Sequence, residues 1–189
     1  MVNNTVFSDF ELDQMSWKFK SAAEFASVNC VGSAEEEMEA KTVTKSCRGV
    51  VVKKVSRGTG NGTVKVTAHI PWAAYTQAYG MNLDTLINGV KAYGRNSVHE
   101  GFVITMHIND EDGNEKLKAY PNAVLETGLT RKIENGAEEV AEIELEISVM
   151  PDEYGNGVYE VLVADLEDET VKEKWMTEFT PELVQIVSA

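Results

Sequence analysis

The chain has 189 residues, 43% hydrophobic and 25% charged, with a formal net charge of −14. That length supports one folded domain with a sizeable core. No run of about 18 apolar residues is present, which excludes a membrane-spanning helix, and so acidic a chain is a poor candidate for gripping nucleic acid, whose phosphates need clustered Lys and Arg.

The first 40 residues are ambiguous. MVNNTVFSDFELDQM has no basic region followed by an apolar stretch, so no secretory signal is expected. SWKFKSAAEFASVN fits a strand or a short amphipathic helix, and EEEME at 35–39 fits an exposed loop or a helix start. From Lys41 the pattern sharpens. KTVTKSCRGVVVKKV is rich in β-branched residues, RGTGNG supplies turn glycines, and TVKVTAHI alternates again, which predicts a hairpin or two neighbouring strands turning at the glycines. PWAAYTQAYGM predicts a short helix with Pro71 in its first turn and Gly80 near its end. In LDTLINGVKAYG, Leu83, Leu86, Ile87, Val90 and Tyr93 recur at helical spacing, with Gly94 as C-cap and Gly89 as a weakness.

GFVITMHIN predicts a strand, DEDGN a turn, and EKLKAYPNAVLETGLT a return strand with Pro121 at a bulge or edge. After a turn at NGAEE, AEIELEISVM places Ile143, Leu145, Ile147 and Val149 on one face and Glu142, Glu144 and Glu146 on the other, the period of a half-buried strand. MPDEYGNG reads as a loop. The tail LEDETVKEKWMTEFTPELVQIV reads as helix through Phe179, with Pro181 breaking or restarting it. The fold class that follows is mainly β: an antiparallel sandwich or open barrel with a helical insert and a C-terminal helix, built as a single domain over 1–189, with residues 1–40 in part an N-terminal arm.

Sites of familiar chemistry do not emerge. GTGNG at 58–62 is followed by a strand and lacks the Lys-Ser or Lys-Thr of a phosphate loop, so a hairpin turn is the better reading. In DEDGNE, setting Gly113 at the sixth position of a calcium loop puts Ile108 at the first ligand position, and a turn at Asp112-Gly113 fits better. His69, His99 and His107 have no metal-ligand spacing, no GxSxG, HExxH or CxxC occurs, and nothing selects an acid/base pair from 31 carboxylates. Trp17, Trp72 and Trp175 are too scattered for a binding platform and read as core or interface. Cys30 and Cys47 read as free thiols of a reducing compartment. The expectation is a non-enzyme without metal or cofactor.

Charge carries more information. Residues 134–189 hold 16 of the 31 acidic residues and two of the 17 basic ones, which alone accounts for the net charge; residues 1–133 balance. Between Lys41 and Lys65 stand seven basic residues and no acidic one. One reading is a solvated acidic surface crossed by a basic ribbon. The other is that patches of opposite sign meet between copies of the chain, with Lys45, Arg48, Lys53, Lys54, Arg57 and Lys65 as the basic side.

Five stretches in order, GTGNGTVKVTAHIPW, LINGVKAYGRNSVHEGF, GNEKLKAYPNAVLETG, TRKIENGAEEVAEIELEISVMPDEYGNGVYE and DETVKEKWMTEF, resemble the major tail tube protein of long-tailed (siphovirus-type) bacteriophages of Gram-positive hosts, over residues 48–179. The resemblance implies a tail-tube fold, six-membered rings closed through β-strands, and stacking of rings into a virion tail tube assembled in the host cytoplasm. Its implied partners are further copies of itself, the tape measure protein, and distal tail and tail terminator proteins, with phage DNA passing through without being bound and no membrane involved. Glu142, Glu144 and Glu146 would then line the lumen and repel phosphates; the alternative is that they face outward, or pair across the sheet with Lys53, Lys54 or Lys65. Other readings stay open: the tube subunit of a tail-derived particle such as a bacteriocin or gene transfer agent, a monomeric acidic β-domain binding a protein or carbohydrate, a hydrolase, or a tube from a contractile tail.

Overall fold

The computed structural model describes residues 6–28, 30–133, 135–136 and 140–186. Residues 137–139 of the expected NGAEE turn, and part of the expected N-terminal arm, lie outside the described residues. The strands are β1 (Glu11–Phe19), β2 (Ala26–Val28), β3 (Val31–Cys47), β4 (Val50–Ala68), β5 (Phe102–Asn109), β6 (Glu115–Leu125), β7 (Ile143–Val149) and β8 (Tyr159–Leu162); the helices are α1 (Trp72–Ala78) and α2 (Glu169–Lys174). All strands join one antiparallel sheet in the order β2-β1-β5-β6-β7-β4-β3, and β8 pairs with β6 beside the end of β7. The sheet curls until β1 touches β3 without pairing with it, an open barrel with a seam.

Alternation fills the interior. Met15, Trp17 and Phe19 from β1 meet Phe102, Ile104 and Met106 from β5, all at most 4% exposed, and Val64, Val66, Leu145 and Ile147 close the far side. Trp17, Phe19 and Phe102 form a ring cluster with centroids 5.4–5.7 Å apart. Pro121 marks a bulge as expected. Tyr120 pairs with Ile104 while Ala123 pairs with Phe102, so two residues of β6 oppose one of β5 and both Tyr120 and Ala123 turn inward. On the outer face, Leu117 and Ala119 pack against Val171, Trp175 and Phe179. Trp175 Nε1 donates to the Lys118 carbonyl at 3.1 Å, and Asp168 caps α2 by accepting from Thr170 N at 2.9 Å.

Several expectations are corrected. EEEME, expected as an exposed loop or a helix start, lies in β3; for SWKF, in β1, the strand alternative is the one that forms. In β3 the alternation is masked because it is an edge strand, with Met38 partly buried against the core and its glutamates exposed at the backbone edge. The hairpin turn is not at RGTGNG. It is the two-residue turn Arg48-Gly49, with φ of 51° and 80°, the primed geometry that suits a twisted ribbon. The glycines of 58–62 sit inside β4, opposite a register shift between Met38 and Ala40. There Gly60 has φ of 80°, and the Gly60 carbonyl lies so close to Gly157 that a Cβ on Gly157 would run into it. The glycines serve close backbone approach, not reversal.

LDTLINGVKAYG forms turns and no helix. Isolated bonds such as Leu86 N to Leu83 O (3.1 Å) and Val90 N to Ile87 O (3.0 Å) replace a helical ladder, Gly89 has φ of 92°, and Ile87 and Val90 face solvent rather than a core. The C-terminal helix ends at Lys174, not at Phe179; turns carry Trp175 and Phe179 back onto Leu117 and Ala119, and a 3-10 turn follows at Pro181–Val184.

Candidate assembly surfaces

Beyond the register shift at Met38/Ala40, β3 and β4 leave the body as a two-stranded arm. Nine residues of β3, from 39 to 47, correspond to about 30 Å of strand. From Lys41 to Arg57 every residue is exposed except Val55, which is half-buried. Cross-strand register assigns the arm's two faces. Lys41 opposes Arg57, Val43 opposes Val55 and Lys45 opposes Lys53 on one; Thr42 opposes Ser56 and Thr44 opposes Lys54 on the other. The first face is thus a pair of valines framed by four cations, with two like-charged pairs directly opposed, an arrangement that weakens a ribbon standing alone. None of the six cations between Lys41 and Arg57 makes an ion pair among the described residues.

The structure divides the basic patch read from the sequence. Lys45, Lys53 and Arg57 share the arm face with Lys41. Lys54 stands on the opposite face and Arg48 at the tip. Lys65 belongs to the body, between Glu35 and Glu146. Cys47 and Cys30 are exposed and free, near opposite ends of the 17-residue β3.

The glutamates of β7 face away from the core. Glu144 opposes Thr67 and Glu146 opposes Lys65, while on the next strand Ser33, Glu35 and Glu37 oppose Thr67, Lys65 and Thr63. This outer face is a polar plane in which Lys65 stands among four glutamates. Glu142 lies just before β7, its carboxylate over Gly32. Lys65 Nζ is 3.8 Å from Glu146 Oε1, with the side chains 51% and 36% exposed, so the pair contributes little.

At the seam a cleft of about 620 Å³ opens between the start of β1 and the body half of β3. Lys118 reaches into it and is paired with Glu36; Tyr120 donates to Glu36 Oε2 at 2.9 Å, and Glu160 lies 3.6 Å from Lys118 Nζ. Burial pushes the Tyr120 hydroxyl above the usual phenol range, and the adjacent Glu36 charge adds to this, so Tyr120 remains the donor. Residues 7–10 cross beside the cleft, held by the Lys116–Asp9 ion pair and by Phe7, whose ring centre is 4.9 Å from Lys116 Nζ.

At the α1 end, Tyr79 packs between Tyr75, Tyr93 and His99 with centroids 4.8, 6.0 and 5.2 Å away. Its hydroxyl is pushed up to about 12 by burial, with Tyr75 and Tyr93 adding. Arg131 lies over Tyr75 and over the exposed Trp72. Trp17 and Trp175 are core residues.

The DEDGN turn forms as expected. Asp110 Oδ1 accepts from the backbone of Asp112 (3.0 Å) and Asn114 (2.7 Å), and its Oδ2 accepts from Asn114 Nδ2 (2.6 Å). Partial burial works against the carboxylate, yet these bonds together hold it below its ordinary range. Asp152 builds the same turn over DEYGN, accepting from Tyr154 and Asn156. The carboxylates close the loops. His107 lies between Asp13 and Glu115 (3.1 and 3.5 Å), and His99 between Tyr93 and the Leu125 carbonyl (3.0 and 2.8 Å). No group of three or more His, Cys, Asp or Glu able to hold a metal occurs among the described residues, and no described helix is long and apolar enough to cross a membrane.

No protein-family model matches this sequence, and no curated protein matches it. Among solved structures, the chain is similar to one in the anti-feeding prophage cap, described as a tube-terminating cap, with a TM-score of 0.48 and 11% identity over 85% of this chain and 96% of that one. It is also similar to a chain in the six-fold symmetrised anti-feeding prophage baseplate, with a TM-score of 0.45 and 11% identity over 88% of this chain and 100% of that one.

Proposed function

We propose that this chain is a structural subunit of a phage tail tube, and that copies associate head to tail into stacked rings around a DNA conduit. The observation that supports it most is the arm. A ribbon that buries almost nothing, opposes like charges, and carries six cations without an ion pair among the described residues gains stability from an acidic partner surface, and on a chain of net charge −14 other copies supply one. Such a heterologous contact, repeated, gives rings or filaments. The five stretches resembling tail tube proteins point the same way, and they extend the reading to a tape measure protein within the tube and terminator and distal tail proteins at its ends.

In this reading the plane holding Glu144 and Glu146, with Glu142 at its margin, forms the wall of the conduit. Carboxylates there leave DNA hydrated and unbound, whereas lysines would hold its phosphates at each ring. The double substitution Glu144→Lys, Glu146→Lys, placed in the particle that carries this chain, is expected to leave tails of normal length and to slow DNA delivery, read as the rate of genome ejection. Normal ejection from normal tails would show that these residues face elsewhere.

A further inference from the structure

We propose that the cleft between β1 and β3 is the docking site for the arm of a second copy of this chain, an assignment that rests on the self-assembly reading above. The cleft is a place where the sheet stops short. β1 pairs with β2 only at Met15–Trp17, and β3 pairs with β4 alone, so both strands bordering the seam present open edges there. Leu12, Met38 and Ile108 give it an apolar lining. Of its carboxylates, Asp9 is matched by Lys116 and Glu36 by Lys118, while Glu11 has no ion pair among the described residues; Glu35 borders the cleft but stands opposite Lys65 on the glutamate plane.

An apolar centre with an acidic margin, on which Glu11 is unmatched, is the complement of Val43 and Val55 framed by Lys41, Lys45, Lys53 and Arg57. The other acidic surfaces fit less well. The plane around Glu144 and Glu146 has Ser33, Thr63, Thr67 and Ser148 between its acids, with nothing for two valines to pack on. Around α2 the buried apolar residues include Val171, Trp175 and Phe179, and partly buried ones such as Leu166, Met176 and Leu183 pack against them. The arm continues the same strand that borders its own cleft, pointing away from it, so the occupant comes from another copy. Docking there brings the arm's basic face to Glu11 and covers two open strand edges at once.

The test is charge exchange in the full chain, read as the critical concentration for assembly by sedimentation. Glu11→Lys and Lys53→Glu each place like charges across the proposed contact and are expected to raise that concentration about tenfold or more. Combined in one chain they restore complementarity, and the concentration returns most of the way to the unsubstituted value. Both side chains are exposed, so unchanged thermal melting checks that each variant is folded. The assignment is overturned if the single changes have no effect, if their effects simply multiply in the double variant, or if Lys53→Glu is rescued by Glu144→Lys instead, which would seat the arm on the glutamate plane. Failure of the unsubstituted chain to assemble under any condition would overturn the self-assembly reading itself, and this assignment with it.

Discussion

Replacing residues 41–57 with Asn-Gly is expected to leave a folded protein that no longer assembles. Ala40 and Gly58 are directly opposed, so a two-residue turn joins them without changing the register of the body. The excised segment buries no side chain fully, and melting should shift by no more than about 2 °C, as for surface changes generally. It removes all six cations between Lys41 and Arg57 and no carboxylate. Loss of assembly could then come from the greater net negative charge alone. A second variant, read at two salt concentrations, separates the causes: Lys41→Gln, Lys45→Gln, Lys53→Gln and Arg57→Gln also make the chain more negative, but they keep the arm and its valines. Both variants should remain monomeric at about 0.1 M salt, and at about 1 M, where the screening length shrinks to roughly 3 Å, the variant that keeps its valines should recover part of its association while the deletion does not. Unchanged assembly of the deletion variant would remove the arm from the account.

The second large effect concerns the body. Phe102→Ala should cost about 3–5 kcal/mol and lower the melting temperature by about 6–20 °C. Phe102 is 0% exposed and meets Trp17 and Phe19 edge-on at 5.6 and 5.7 Å, at the centre of the barrel where β1 and β5 pair. Truncation leaves a cavity that two other rings, each fixed by its strand, cannot fill. Against a total stability of about 5–15 kcal/mol, such a loss is a large fraction of the whole. Phe102→Leu keeps most of the volume and should cost less than half as much. Equal losses for the two would mean that the ring contacts, not the volume, hold the site together.

The parts of the fold legible in the sequence are those where local pattern and burial agree. β5, β6 and β7 alternate cleanly between turn residues, and Pro121 sits where a bulge is needed to keep both Tyr120 and Ala123 inward. α1 has Pro71 at its start. Misreadings arise where two signals compete. A run of five residues with three glycines advertises a reversal, while the actual turn uses Arg48 at φ of 51°, which no composition signals. Leu83 to Tyr93 has helical spacing, but with Ile87 83% exposed there is no core for that face to cover. β8 is four residues long, too short to register as a period.

The candidate surfaces divide the same way. Alternation alone sets Glu144 and Glu146 opposite the core face. The basic run is visible as a run, but its two faces follow only from the β3–β4 register, which parts Lys54 from Lys53 and leaves Lys65 in the body. The cleft joins residues near 10, 35, 107 and 119, and no local pattern connects them.

The central claim is that copies of this chain assemble through the arm. Negative-stain electron microscopy of the purified protein, concentrated and incubated across a range of salt, tests it most directly, first alone and then with the partner proteins that the tail-tube reading proposes. Rings or hollow tubes are the predicted result. Isolated monomers under every condition, with those proteins present as well, would contradict it.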